Sequence, residues 1–89
     1  MINPDDLSDD ELLALLSPGQ LAALDRTIGE MLADEGLDKA LSLEVLAQVY
    51  TVRAAERDPA SALAMLQLSA AMRRRAALLA AERRAARLT

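Results

Sequence analysis

After Asp58-Pro59 the chain carries no further Gly or Pro. Asp is a favoured N-cap, and Pro at the first helical position loses no hydrogen bond, because that N–H has no intrahelical acceptor. The residues that follow are dominated by Ala, Leu, Met and Arg, all strong helix formers. The run predicts one helix from Pro59 to Leu88. At about 1.5 Å per residue it would be roughly 45 Å long, more than the width of a compact domain of this size, whose radius of gyration is about 13 Å. The end of such a helix must project into solvent or lie against another copy.

Its two halves differ. Leu63, Leu66 and Ala70 form one stripe, and Met65, Leu68, Met72 and Leu79 a second on another side. A helix that is apolar on more than one side is covered by more than one neighbour. Leu63, Met65, Leu66, Leu68, Met72 and Leu79 are therefore expected at a contact with a hairpin partner and with another subunit. From residue 73 onward the helix turns basic, with Arg73, Arg74, Arg75, Arg83, Arg84 and Arg87 against Glu82 alone. At about 100° per residue, Arg73, Arg83, Arg84 and Arg87 share one side, while Arg74 and Arg75 point elsewhere. These six arginines are the candidate binding residues for DNA or an acidic protein partner.

The formal net charge of −4 hides a segregation. Residues 1–38 hold ten acids and Arg26, a balance of −9; residues 39–72 are neutral; residues 73–89 carry +5. Two recipients compete for the arginines: an external polyanion, or the acidic residues 1–38 of the same or a neighbouring subunit.

The upstream sequence reads as shorter helices. Ser8 and Glu11 have capping-box spacing, predicting a first helix over Asp9–Leu16 that buries Leu12, Leu13 and Leu16, with Asp9, Asp10 and Glu11 at its positive end. Ser17-Pro18-Gly19-Gln20 repeats the pattern and opens a second helix, Pro18–Glu35, with Leu21, Leu24, Ile28, Met31 and Leu32 at helical spacing. Gly36 is its expected end, with Leu32 and Leu37 as the apolar pair of a Schellman motif. Asp38 or Ser42 caps a third helix, Leu43–Arg57, whose main face is Leu43, Leu46, Val49 and Tyr50, extended by Val45 and Val52. The expected fold is all-α, with about four helices, the last two forming a long antiparallel hairpin or a kinked rod. Residues 1–38 form an acidic helical segment and residues 39–89 the hairpin with its basic tail, within a single domain.

Residue types limit the chemistry. The chain has no Cys, His, Trp or Phe, and Tyr50 is its one aromatic residue. Without Cys or His there is no Cys–His or Ser–His nucleophile pair and no nitrogen–sulfur metal site. The acids sit at helix starts in a spacing foreign to calcium loops, and the three glycines are too scattered to cradle a phosphate. No enzyme activity and no cofactor are expected. An Ala-rich chain of 89 residues buries little area per residue, so homo-oligomerisation is the expected supplement to its stability. Residues 1–7 lack the apolar core of a signal peptide and no stretch reaches about 18 apolar residues, so the expected setting is the cytoplasm of a bacterial host, off the membrane.

Leu16-Ser17-Pro18-Gly19-Gln20-Leu21-Ala22-Ala23-Leu24-Asp25 resembles an opening phrase of phage DNA-packaging proteins, in which L-S/T-P precedes an acidic amphipathic helix. A helical hairpin with a charged C-terminal tail is similar in architecture to the oligomerisation core of small terminase subunits. The resemblance implies a ring-forming, non-enzymatic subunit that engages viral or virus-like DNA and presents it to a large terminase, the ATPase–nuclease. Those subunits usually begin with a basic helix-turn-helix domain, whereas residues 1–38 are acidic here. The resemblance is therefore to a reduced form suited to nonspecific packaging, as in a gene-transfer-agent particle. The alternative is a small protein-interaction module, such as an adaptor, antitoxin or inhibitor, that lays its long helix in a partner's groove.

Overall fold

The computed structural model describes residues 6–33 and 38–88. Four helices follow in chain order: α1 (Asp9–Ala14), α2 (Pro18–Met31), α3 (Lys39–Ala54) and α4 (Pro59–Leu88). The fold is all-α, and its long axis of 48 Å, against 22 and 21 Å across, is set by α4.

The helix starts follow from local chemistry. Ser8 and Ser17 each accept a hydrogen bond from the backbone three residues on, at 3.2 Å, while Glu11 and Gln20 reach back to the cap N–H. Asp38, rather than Ser42, caps α3: its Oδ1 accepts from the N–H groups of Ala40 and Leu41. The third helix thus begins four residues earlier than the apolar pattern indicates. The Ser61 N–H donates to the Asp58 carboxylate at the start of α4. Helix ends come early. α1 stops at Ala14 and α2 at Met31, with Leu32 as the α2 C-cap rather than a residue of its last turn. The expected Gly36–Leu37 terminus lies outside the described residues.

α3 and α4 form an antiparallel hairpin, which settles the choice between hairpin and rod. Asp38 at the start of α3 meets Arg83 near the far end of α4, while Ala47 and Thr51, further along α3, meet Ser69 and Arg73 nearer the start of α4, so the two helices run in opposite directions. α1 and α2 pack on α4 as well. One continuous core takes Leu12 and Leu13 from α1, Ile28 from α2 with Leu32 at its C-cap, Leu43, Ala47 and Ala54 from α3, and Leu66, Ala70, Ala71, Met72 and Ala76 from α4. The acidic N-terminal segment is therefore built into the core.

α4 is the hub of this arrangement. Ser69, Ala70, Ala71 and Met72 are consecutive and each has 0% exposure. Consecutive helical residues point in four directions, so here α4 is covered on every side. Three of the four side chains are small, which lets the neighbouring backbones come close. The α3 seam shows the same economy of size. Ala40, Leu43, Ala47 and Ala54 face α4 at spacings of three, four and seven. Larger residues are left outside: Leu41, Val45, Val49 and Val52 are 40–59% exposed. This corrects the expected α3 face. Leu43 is buried, Leu46 and Tyr50 are half-buried, and Val49 faces solvent. Small side chains at the seam let the two helix axes approach closely.

Candidate functional site: the arginine-bearing half of α4

The six candidate arginines fall into two groups. Arg73 sits just past the enclosed stretch and grips α1. Its Nε donates to Asp9 Oδ2 at 2.7 Å and its Nη2 to Asp9 Oδ1 at 2.6 Å, a bidentate pair. Its third arm, Nη1, donates to Thr51 Oγ1 on α3 at 3.1 Å. The Thr51 hydroxyl in turn donates to the Ala47 carbonyl, which also accepts from the fully buried Ser69 hydroxyl at 3.0 Å. One guanidinium therefore ties three helices together. The hydrogen bonds from Arg73 hold the Asp9 carboxyl below its usual pKa, and Asp9 raises that of Arg73.

Arg83 makes the second pair. Its Nη1 and Nη2 donate to Asp38 Oδ2 and Oδ1 at 2.8 and 2.9 Å. Asp38 is thus both the cap of α3 and a ligand of α4. Arg83 and the capping N–H groups lower its pKa to about 2. This pair is more open than the first, with the Arg83 side chain 50% exposed against 36% for Arg73.

Arg74, Arg75, Arg84 and Arg87 are exposed, and among the described residues none has a carboxylate within ion-pair distance. Residues 81–87 are exposed without interruption. At about 100° per residue, Arg83, Arg84 and Arg87 lie within an arc of roughly 100°, while Arg74 and Arg75 flank Leu78 on the other side. Among the described residues, two of the six arginines are thus paired with a carboxylate and four are not, Arg74 and Arg75 at the middle of α4 and Arg84 and Arg87 near its end.

The residues expected at a subunit contact are placed differently. Leu66 and Met72 are buried in the core of the single chain, and Met72, at 0% exposure, has no surface to offer a second copy. Leu63, Met65, Leu68 and Leu79 are half-buried against the same core. Leu15, Met31 and Leu78 are exposed singly, and the exposed apolar residues that share one helix face are the α3 stripe Leu41, Val45, Val49 and Val52, about 16 Å long at 1.5 Å per residue and within roughly 80° of arc. A long helix offered to a partner's groove would likewise have only its distal half available.

Shallow grooves run beside α4. One, about 370 Å³, lies against α1 and mixes Leu13 and Leu78 with Asp10 and Arg74. A second, about 320 Å³, lies against α2 between Leu24 and Gln67, and a third, about 310 Å³, against α3 at Glu44 and Gln48. Among the described residues, no group of three or more acids comes together as a cation site. Asp9 and Asp38 are held ionised by arginine, the opposite of what proton transfer near neutral pH needs. No helix among the described residues is long and apolar enough to cross a membrane.

The sequence pattern did not reveal the partners of these groups. Asp9 and Asp38 read as helix-start acids, and Thr51 and Ser69 as unremarked polar positions. Their roles depend on contacts 64, 45 and 22 residues apart, which no local spacing encodes. No family model, curated protein or solved structure matches the chain.

Proposed function

We propose that this chain is a non-enzymatic, oligomeric accessory subunit of a viral-type DNA-packaging machine, of small-terminase type, which contacts duplex DNA nonspecifically through the end of α4. The observation that carries the reading is the set of four exposed arginines, Arg74, Arg75, Arg84 and Arg87, that have no carboxylate partner among the described residues, on a helix that is fully enclosed over residues 69–72. A rigid rod presenting guanidinium groups in several directions suits phosphate contacts, which carry no sequence information. With no aromatic residue in residues 73–89, the surface lacks the stacking platform that single strands prefer. Docking a large terminase through the same arginines belongs to this reading.

Assembly follows from the other exposed feature. Copies associate through the α3 stripe, which stands in water as long as the chain is alone. The stripe also supports the second reading, a protein-interaction module, with the occupant then a different chain.

Two measurements test the proposal. Light scattering should give a mass above that of one chain, and Val45→Glu with Val49→Glu should return it to monomer with helicity intact. A stable wild-type monomer at micromolar concentration overturns the assembly claim. Binding to a mixed-sequence duplex should weaken with salt, and changing Arg74, Arg75, Arg84 and Arg87 to Gln should remove most of it. Absence of binding at low salt, or a salt slope untouched by the four changes, overturns the DNA contact.

A further inference from the structure

The two arginine–aspartate pairs are built differently, and the difference has a use. Arg73 is held by three donors' worth of contacts, to Asp9 and Thr51, at the junction of three helices. Arg83 has one partner, Asp38, and is half exposed at the basic end of α4. Asp38 does not depend on Arg83 for its other role, because its Oδ1 also accepts from the N–H groups of Ala40 and Leu41. If Arg83 leaves, the α3 cap stays. A bidentate carboxylate on a guanidinium presents the same planar two-oxygen face as a phosphate diester. Arg84 and Arg87, on the same side of α4, have no such partner among the described residues.

We propose that Asp38 is an intramolecular competitor for the DNA-binding surface: it occupies Arg83 as a phosphate mimic, and duplex DNA displaces it to complete an Arg83–Arg84–Arg87 phosphate-contacting face. This deepens the DNA reading above and rests on it. The exchange swaps one anion for another on the same guanidinium and requires no helix to move. Its effect is to weaken binding to isolated phosphates or short anions, which engage too few arginines to displace Asp38, while a duplex that also meets Arg84 and Arg87 wins the competition. Arg73 takes no part, since removing it from Asp9 would also break the Thr51 contact.

The test is Asp38→Asn. Asn caps a helix as well as Asp does, so the variant removes the competing charge and keeps α3. Asp58→Asn is the control, with the same change in net charge and the same retained capping ability at the opposite end of α4. Fluorescence anisotropy with a mixed-sequence duplex should show Asp38→Asn binding at least about threefold tighter than wild type at an unchanged salt slope, because Arg83 meets a phosphate in both complexes. Asp58→Asn should match wild type, and circular dichroism should show all three equally helical. In an Arg83→Gln background the gain from Asp38→Asn should vanish. Equal tightening by the two Asn variants, or tightening that persists without Arg83, overturns the competitor role while leaving the DNA reading in place. Failure of wild type and Asp38→Asn alike to bind at low salt removes both.

Discussion

Met72→Ala decides whether the middle of α4 belongs to the protomer or to an assembly. Met72 has 0% exposure and lies between equally enclosed neighbours. Truncation removes Cγ, Sδ and Cε, worth about 0.8 kcal/mol for each methylene-sized group, or roughly 2.4 kcal/mol of transfer free energy. Residues around an alanine-rich seam have little freedom to collapse, so a cavity penalty adds to this, and the expected loss is about 3 kcal/mol within the usual range of roughly 2–5 for Met→Ala. Set against a total stability of about 4–13 kcal/mol for a chain of this length, that is a large share. Urea unfolding followed by circular dichroism at 222 nm should show the midpoint falling by roughly 1–3 M at an m-value of about 1–3 kcal/mol/M. The loss should be independent of protein concentration, because the cavity forms inside one chain. A loss below about 0.5 kcal/mol, the usual range of surface changes, would refute the enclosure of α4. A loss that is small at low protein concentration and grows as concentration rises would instead place Met72 at a contact between copies.

Three further outcomes follow from the polar contacts. A double-mutant cycle between Asp9→Asn and Arg73→Met should give a coupling of about 1 kcal/mol; the bidentate geometry favours a larger value, but both side chains are over a third exposed, so solvent screening limits it. A coupling indistinguishable from zero would mean the pair does not hold α1 to α4. Ser69→Ala should cost about 1 kcal/mol through loss of the buried bond to the Ala47 carbonyl, read from the same urea curves, and no change would show that α3 and α4 close without it. Acid should destabilise the protein in a defined window. Asp9 and Asp38 have folded-state pKa values below their ordinary value, Asp38 reaching about 2. Their stabilising contribution is therefore complete above the unfolded pKa of about 3.9 and is lost as pH falls from there through the folded values. Thermal melts from pH 5 to pH 2, scaled as roughly 4–8 °C per kcal/mol, should show a shallower decline in Asp9→Asn/Asp38→Asn; an identical decline would assign acid sensitivity to other carboxylates.

Much of the fold was legible in the sequence because it is local. Ser8–Glu11 and Ser17–Gln20 closed the capping boxes their spacing announced, and Asp58-Pro59 opened a helix that nothing interrupts before Leu88. The all-round apolar character of the first half of α4 correctly required more than one neighbour. The choice of face on α3 was not legible. Nearly every side of that helix carries an aliphatic residue, so periodicity gives no contrast, and side-chain size pointed the wrong way. The outcome depended on how closely two backbones can approach, and Ala40, Ala47 and Ala54 decided it together with Ser69 and Ala70.

The candidate site divides along the same line. The sequence by itself determined that six arginines follow residue 72 on a continuous helix and that the acids lie mostly upstream. Charge and helix propensity are properties of residues and their near neighbours. Only the tertiary structure decided which arginines stay available, because that depends on which acid is brought beside which guanidinium. The antiparallel return of α3 puts Asp38 beside Arg83, and the docking of α1 puts Asp9 beside Arg73. Arg74, Arg75, Arg84 and Arg87 pair with neither acid and are exposed, so among the described residues their charge is left uncompensated.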